Sequence, residues 1–213
     1  MYIPKHFEES RIEVLHQLMR AHPMAALVTL TSDGLDANHI PLEIDPEPAP
    51  FGTLRGHVAR ANPLWRDPGS QALAIFQGPN TYISPSWYVT KQETGKVVPT
   101  WNYAVVHAHG CLRAVDDKNW LRAFVERLTN RHESGRRNPW KVTDAPADYI
   151  DGLLDTIVGL EMPITRLVGK WKVSQNRPER DREAVAGVLQ QEGTDVTTAM
   201  ATLVTEAGRE RQR

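Results

Sequence analysis

The chain has one cysteine, Cys111, in 213 residues, so an intramolecular disulfide is excluded and a reducing compartment suits it. It lacks any run approaching the ~18 apolar residues that a membrane helix requires. The best candidate, around Leu153 to Leu160, is interrupted by Asp155 and Gly159. The first nine residues contain no apolar core of a secretion signal. A net charge of −1 gives no whole-molecule field that would draw the protein onto DNA or an anionic membrane. No internal repeat or low-complexity tract occurs, and neither Ser84 nor Ser86 sits in a Gly-x-Ser-x-Gly elbow, so serine hydrolysis is set aside. With 40% hydrophobic and 24% charged residues the chain reads instead as an ordinary globular, cytoplasmic protein.

What is present alternates more than it spirals. Ser10 and Glu13 have capping-box spacing ahead of a helical stripe of Ile12, Leu15, Leu18 and Met19, ended by Pro23. Apolar residues from Met24 to Leu30, a turn at Ser32-Asp33-Gly34 and the alternating Ile40, Leu42 and Ile44 predict a hairpin, with Pro41 as a bulge or edge. Strands are predicted at 54–58 and 72–76, with an extended piece from Thr81 to Ser84 after Gly78-Pro79-Asn80. A loop follows to Pro99, then extended chain from Trp101 to Val115. Asp116 or Asp117 would cap a helix carrying Trp120, Leu121, Phe124, Val125 and Leu128, with polar loop from Asn130 to Asn138. A short helix near 149–154, two late strands at 157–164 and 165–173, and helices from Pro178 onward complete the reading. Five to seven strands in hairpin order predict an antiparallel barrel or sheet, mainly β with flanking helices, rather than a βαβ sheet.

Three segments hold residue types that suit a phosphorylated aromatic cofactor. In Gly56 to Pro63, Arg60 offers a forked donor and His57 and Asn62 add neutral ones; the same residues also suit a solvated strand end. The stretches 81–88 and 98–103 mix aromatics with short polar groups: Tyr82, Ser84 and Ser86 in one, Trp101, Asn102 and Tyr103 in the other. Flat apolar area plus hydroxyls and amides fits a planar, hydrogen-bonding ring system, or else a core with satisfied hydroxyls. The densest donor set is Lys170, Lys172, Gln175, Asn176 and Arg177. On a strand the two lysines share a face, where they would meet a phosphate or an anionic ring edge, or form a solvated rim. His107 and His109 also share a strand face, but no third ligand has metal-site spacing, so no metal is assigned and haem stays a minor alternative.

The segments Met1 to Phe7, His39-Ile40-Pro41-Leu42, 56–63, 82–88, 98–103 and 170–178 together resemble the PaiB-type family of FMN-binding negative transcriptional regulators. The resemblance implies the FMN-binding split barrel shared with pyridoxamine-phosphate oxidases and flavin reductases. It implies a homodimer with each FMN held between subunits. By analogy His57 and Arg60 fall where that fold places phosphate ligands, and Lys170 to Arg177 where its late strand approaches the cofactor. Residues 1–176 would form the barrel domain and 177–213 a helical extension of it. The implied role is a repressor that senses flavin or redox state. No helix-turn-helix is visible, and six arginines against seven acidic residues from Gln175 onward make no basic arm, so DNA would be met indirectly or weakly. The alternative is an FMN-dependent oxidoreductase fed by a nicotinamide donor.

Overall fold

The computed structural model describes residues 1–67 and 69–210; the last three residues of the predicted C-terminal extension lie outside that range. Nine strands and six α-helices occur among the described residues. In chain order they are β1 (Glu8–Glu9), α1 (Ile12–Ala21), β2 (Met24–Thr31), β3 (Gly34–Pro41), β4 (Glu43–Asp45), β5 (Thr53–Ala59), β6 (Gln71–Ile83) and α2 (Thr90–Thr94). Then follow β7 (Thr100–Cys111), β8 (Arg113–Val115), α3 (Lys118–Glu133), α4 (Ala147–Leu154), β9 (Ile157–Lys172), α5 (Glu179–Glu192) and α6 (Asp195–Glu210). The strand order is β3-β2-β6-β7-β9-β5-β4, with β1 and β8 also pairing with β9. Every ladder with a resolved register is antiparallel.

The chain divides into two compact units, residues 1–18, 77–106 and 168 onward in the first, and 19–76 with 107–167 in the second. In the second unit the predicted hairpin forms as β2 and β3, with Leu30 opposite Leu35 and Thr31 opposite Gly34 at its tip. Asp117 caps α3 by accepting from the Trp120 amide at 2.7 Å. One face of α3 and α4 then closes over a cluster of Leu121, Val142, Ile150 and Leu154, with Trp120 and Ile157 against it. In the first unit α5 packs on α6, burying Val185, Leu189, Met200 and Val204.

Four boundaries differ from the sequence reading. Gly78-Pro79-Asn80 does not end a strand, because β6 runs through it. The missing side chain of Gly78 lets Leu18 and the Ala104 carbonyl approach to 2.8 and 3.2 Å of where a Cβ would stand. The two late strands are one 16-residue strand, β9; Thr165 and Arg166, polar enough to suggest a break, are exposed strand residues instead. Helix α3 continues to Glu133, past the predicted loop start at Asn130. Strands of two or three residues (β1, β4, β8) raise the count above five to seven, being too short to show a period. No helix among the described residues is long and apolar enough to cross a membrane.

Gly159 of β9 is one of the tightly packed points of the second unit. A methyl group there would overlap the Trp120 ring and come within 2.9 Å of the Val115 carbonyl. Gly159→Ala is therefore expected to lower stability by about 1–3 kcal/mol through overpacking. Urea unfolding checks it, and an unchanged midpoint would contradict the packing.

Candidate functional site

The end of β9 gathers positive charge without a matching acid. Lys170 and Lys172 alternate with Trp171, so the two ammonium groups share one face. Lys170 is only 9% exposed, yet its Nζ meets nothing more acidic than the Tyr2 carbonyl, to which it donates at 3.1 Å. The rings of Tyr103 and Tyr2 lie 5.3 and 5.9 Å from the same nitrogen, within cation–π range. Glu8 stands opposite Lys170 in the β1–β9 ladder but forms no ion pair with it. Lys172 donates to Thr100 Oγ1 and, at 3.0 Å, to the Trp101 carbonyl. Burial first, and then the charges of Lys170 and Arg177, hold its ammonium below the ordinary lysine range. Among the described residues no carboxylate forms an ion pair with either lysine.

Beyond Lys172 the chain turns sharply. Ser174 takes φ of +65°, a left-handed conformation uncommon for a residue with a side chain. Asn102, 1% exposed, donates from Nδ2 to Ser174 Oγ at 2.9 Å and holds the turn in place. Gln175 uses both ends of its amide on the same backbone, accepting from the Val173 amide at 2.8 Å and donating to the Trp171 carbonyl. Asn102 and Gln175 thus spend these amide groups on the turn that follows Lys172. Asn176 is exposed, and the Arg177 guanidinium lies 4.6 Å over the Tyr88 ring. Burial chiefly raises the Tyr88 phenol above its ordinary value. The fully buried Asp181 accepts from the Thr90 amide at 3.0 Å and from its hydroxyl at 2.7 Å, while Arg180 forks onto Glu93. The first turn of α5 therefore clamps residues 88–93.

Aromatic surface lies in the same unit. Trp101 and Tyr82 are 50% and 46% exposed, edge to face with centroids 6.1 Å apart, and Trp101 Nε1 donates to Asn80 Oδ1 at 3.2 Å. Ser84 and Ser86 share a hydroxyl–hydroxyl hydrogen bond of 2.6 Å at the following 3-10 turn. Uncompensated cations beside open aromatic faces are a donor set that fits a phosphorylated, anionic aromatic group.

His57, Arg60 and Asn62 belong to the second unit and are engaged there. Arg60 donates from Nη1 and Nη2 to the Asp116 carboxylate at 2.9 and 2.6 Å, from Nε to the Asp155 carbonyl and from Nη2 to the Ile157 carbonyl. Four of its five N–H groups are thus taken inside the chain. Asn62 caps the 3-10 turn at Pro63 by accepting from the Leu64 amide, and donates to Asn38. His57 packs edge-on to Phe124 at 5.8 Å. Of the predicted set, the structure links Tyr82 with Trp101, Trp101 with Lys172, Tyr103 with Lys170, and Asn102 with Arg177 through Ser174, while Gln175 bonds only the backbone of the same turn. Thr100 and Asp181 were missed. Thr100 had a readable signal, since it shares a strand face with Asn102 opposite the lysine strand; Asp181 had none, because its partner is 91 residues away.

Comparison with known proteins places this geometry. The chain aligns with the FAD and heme binding protein from Mycobacterium smegmatis at a TM-score of 0.58 and 15% identity, covering 78% of this chain and 73% of that one. The flavocytochrome Anf3 from Azotobacter vinelandii gives 0.58 at 9% identity, covering 80% and 72%. These likenesses are of fold, and with the strand order they define an antiparallel split β-barrel, mainly β with flanking helices. Residues 1–166 match the family described as "Putative FMN-binding domain", and the chain belongs to that family. An uncharacterized protein of Emericella nidulans is 34% identical over 98% of each chain. Protease synthase and sporulation protein PAI 2 of Bacillus subtilis is 31% identical over 96% of each, so the PaiB-type resemblance holds.

Two outcomes follow from these contacts. Arg60→Ala is expected to lower the melting temperature, because Asp116 and two carbonyls lose their donor, while leaving the ratio of FMN to riboflavin affinity unchanged. A selective loss of FMN binding would instead assign Arg60 to the phosphate. Burial pushes the His57 imidazole below its ordinary value, so the unfolded chain holds a proton that the folded chain does not. Its contribution is complete above pH of about 6.5 and is lost as pH falls through the folded value. His57→Gln should flatten the rise of stability with pH in this range, by up to about 1.4 kcal/mol per pH unit. Parallel curves for the two proteins would refute this.

Proposed function

We propose that the chain binds FMN as a cytoplasmic homodimer and serves as a flavin- or redox-sensing repressor of the PaiB type. The observation that carries the reading is the pair of lysines at the end of β9, partly or wholly buried, with neutral oxygens as their acceptors among the described residues. A cationic site without an internal counter-charge is relieved by an anionic ligand, and the family membership makes FMN the candidate. Bound FMN supplies a centre that takes up and releases electrons reversibly.

The residues divide the work by their contacts. Lys170 and Lys172 neutralise the phosphate or the anionic edge of the ring, with Arg177 adding charge from the start of α5. Trp101, Tyr82 and Tyr103 offer flat surface, and Ser84, Ser86 and Asn176 offer hydrogen bonds to polar edges. Asn102 and Gln175 hold the turn that sets the direction of Lys172. His57, Arg60 and Asn62 are assigned to the second unit's own packing, because their polar groups or rings are already occupied there. The regulatory part of the reading rests on the likeness to the relative in Bacillus subtilis, named protease synthase and sporulation protein PAI 2. Lacking a basic arm, the dimer acts on transcription through a second protein.

Fluorescence titration of purified protein with FMN tests the reading, with Lys172→Gln as the variant. Loss of one charged hydrogen bond should weaken FMN by about 10–100-fold. Light scattering should report a dimer. Absence of quenching in the native protein, or equal affinity in the variant, would reject the site. Rapid saturable reduction of the bound flavin by NADH or NADPH would replace the sensor with an oxidoreductase.

A further inference from the structure

A second set of donors lies in the unit that the flavin reading leaves unused. On β7 the residues Val106, Ala108 and Gly110 are buried, which turns His107 and His109 to the opposite face, each half-buried. Their ring centroids are 6.4 Å apart. From β9, one Nη2 of Arg166 stands 3.0 and 3.1 Å from the two ring nitrogens of His109. A single amino group nearly equidistant from both nitrogens lies along the imidazole without spending its other N–H groups on it. Thr165 donates to the His109 carbonyl at 3.1 Å and fixes the two strands side by side at this point.

The chemistry of this group is one-sided. It offers a guanidinium and two imidazoles, all capable of donating, and no carboxylate bonds to any of the three among the described residues. Burial comes first in holding both imidazoles below their ordinary value; nearby positive charges add to it, Arg166 foremost among them at His109 and least at His107. A metal ion is disfavoured twice over. No group of three or more His, Cys, Asp or Glu among the described residues has the arrangement to hold one. A fixed guanidinium against His109 would also repel it. An oxyanion meets the opposite situation: Arg166 supplies charge and a fork, and His107 and His109 supply N–H donors from a rigid strand.

We propose that His107, His109 and Arg166 form a receptor for a phosphate group, either free phosphate or a phosphate monoester. This goes beyond the flavin reading and does not require it. The test is NMR of protein carrying labelled histidine, with the His107 and His109 ring signals identified by His107→Gln and His109→Gln. Inorganic phosphate, FMN and riboflavin are the three probes. Phosphate should shift both ring signals saturably, and Arg166→Gln should weaken that response by at least about tenfold. Arg166 is exposed, so the variant should keep the native melting temperature, and Arg166→Lys should restore part of the response. Shifts with FMN but not riboflavin would assign the monoester. Shifts with phosphate that persist in FMN-saturated protein would assign the free ion. Ring signals unmoved by both phosphate and FMN, or equal responses in native and Arg166→Gln protein, would overturn the proposal. So would a Soret band on adding hemin that disappears in His107→Gln. Flavin fluorescence read in the same titration reports the other site, so quenching with unmoved ring signals would refute only this receptor.

Discussion

Two ammonium groups held against neutral oxygens set the character of the first unit. In water a lysine is solvated on every side; at the end of β9, Lys170 keeps a carbonyl and two aromatic rings, and Lys172 a hydroxyl and a carbonyl. Holding them there costs solvation that these contacts repay only in part. The surrounding structure is consistent with that cost. Asn102 and Gln175 spend their amides on a single turn, and Ser174 takes a left-handed backbone there, its carbonyl accepting from the Arg177 amide at 3.0 Å. Unfavourable geometry of this kind persists where the neighbouring packing over-determines it, and it concentrates where ligands bind.

How much of this could be read in advance depended on the range of each interaction. The alternation Lys170-Trp171-Lys172 is local, so a shared face for the lysines followed from strand geometry alone. The hairpin at β2 and β3, the Asp117 cap and the α5–α6 pair were legible for the same reason. Arg60 read as a phosphate donor because nothing in its own segment revealed Asp116, which comes 56 residues later. Asn102 and Gln175 read as ligand contacts because residue type signals hydrogen bonding but not its direction. Only the observed burial of both shows that their amides point into the protein. The long motifs, by contrast, identified the family without any fold being known, and the match over residues 1–166 covers all of them but 170–178.

Strand length was the least legible quantity. Glycine and proline in sequence signal a turn, yet at Gly78 the glycine serves close packing inside a continuous strand. Thr165 and Arg166 carry the polarity of a loop because both are exposed at that point of β9. A pattern of hydrophobicity records what is covered, and a long strand covered unevenly along its length mimics two shorter ones.

The clamp between Asp181 and Thr90 has a consequence for how this chain can diverge. A fully buried carboxylate satisfied by one amide and one hydroxyl ties the start of α5 to a segment 91 residues earlier. Substituting Thr90 leaves the buried carboxylate a donor short, and substituting Asp181 leaves the Thr90 amide and hydroxyl without their acceptor, so a change in the 88–93 segment is felt at the opening turn of α5. The C-terminal helices are thereby inherited with the aromatic surface as a single unit of variation.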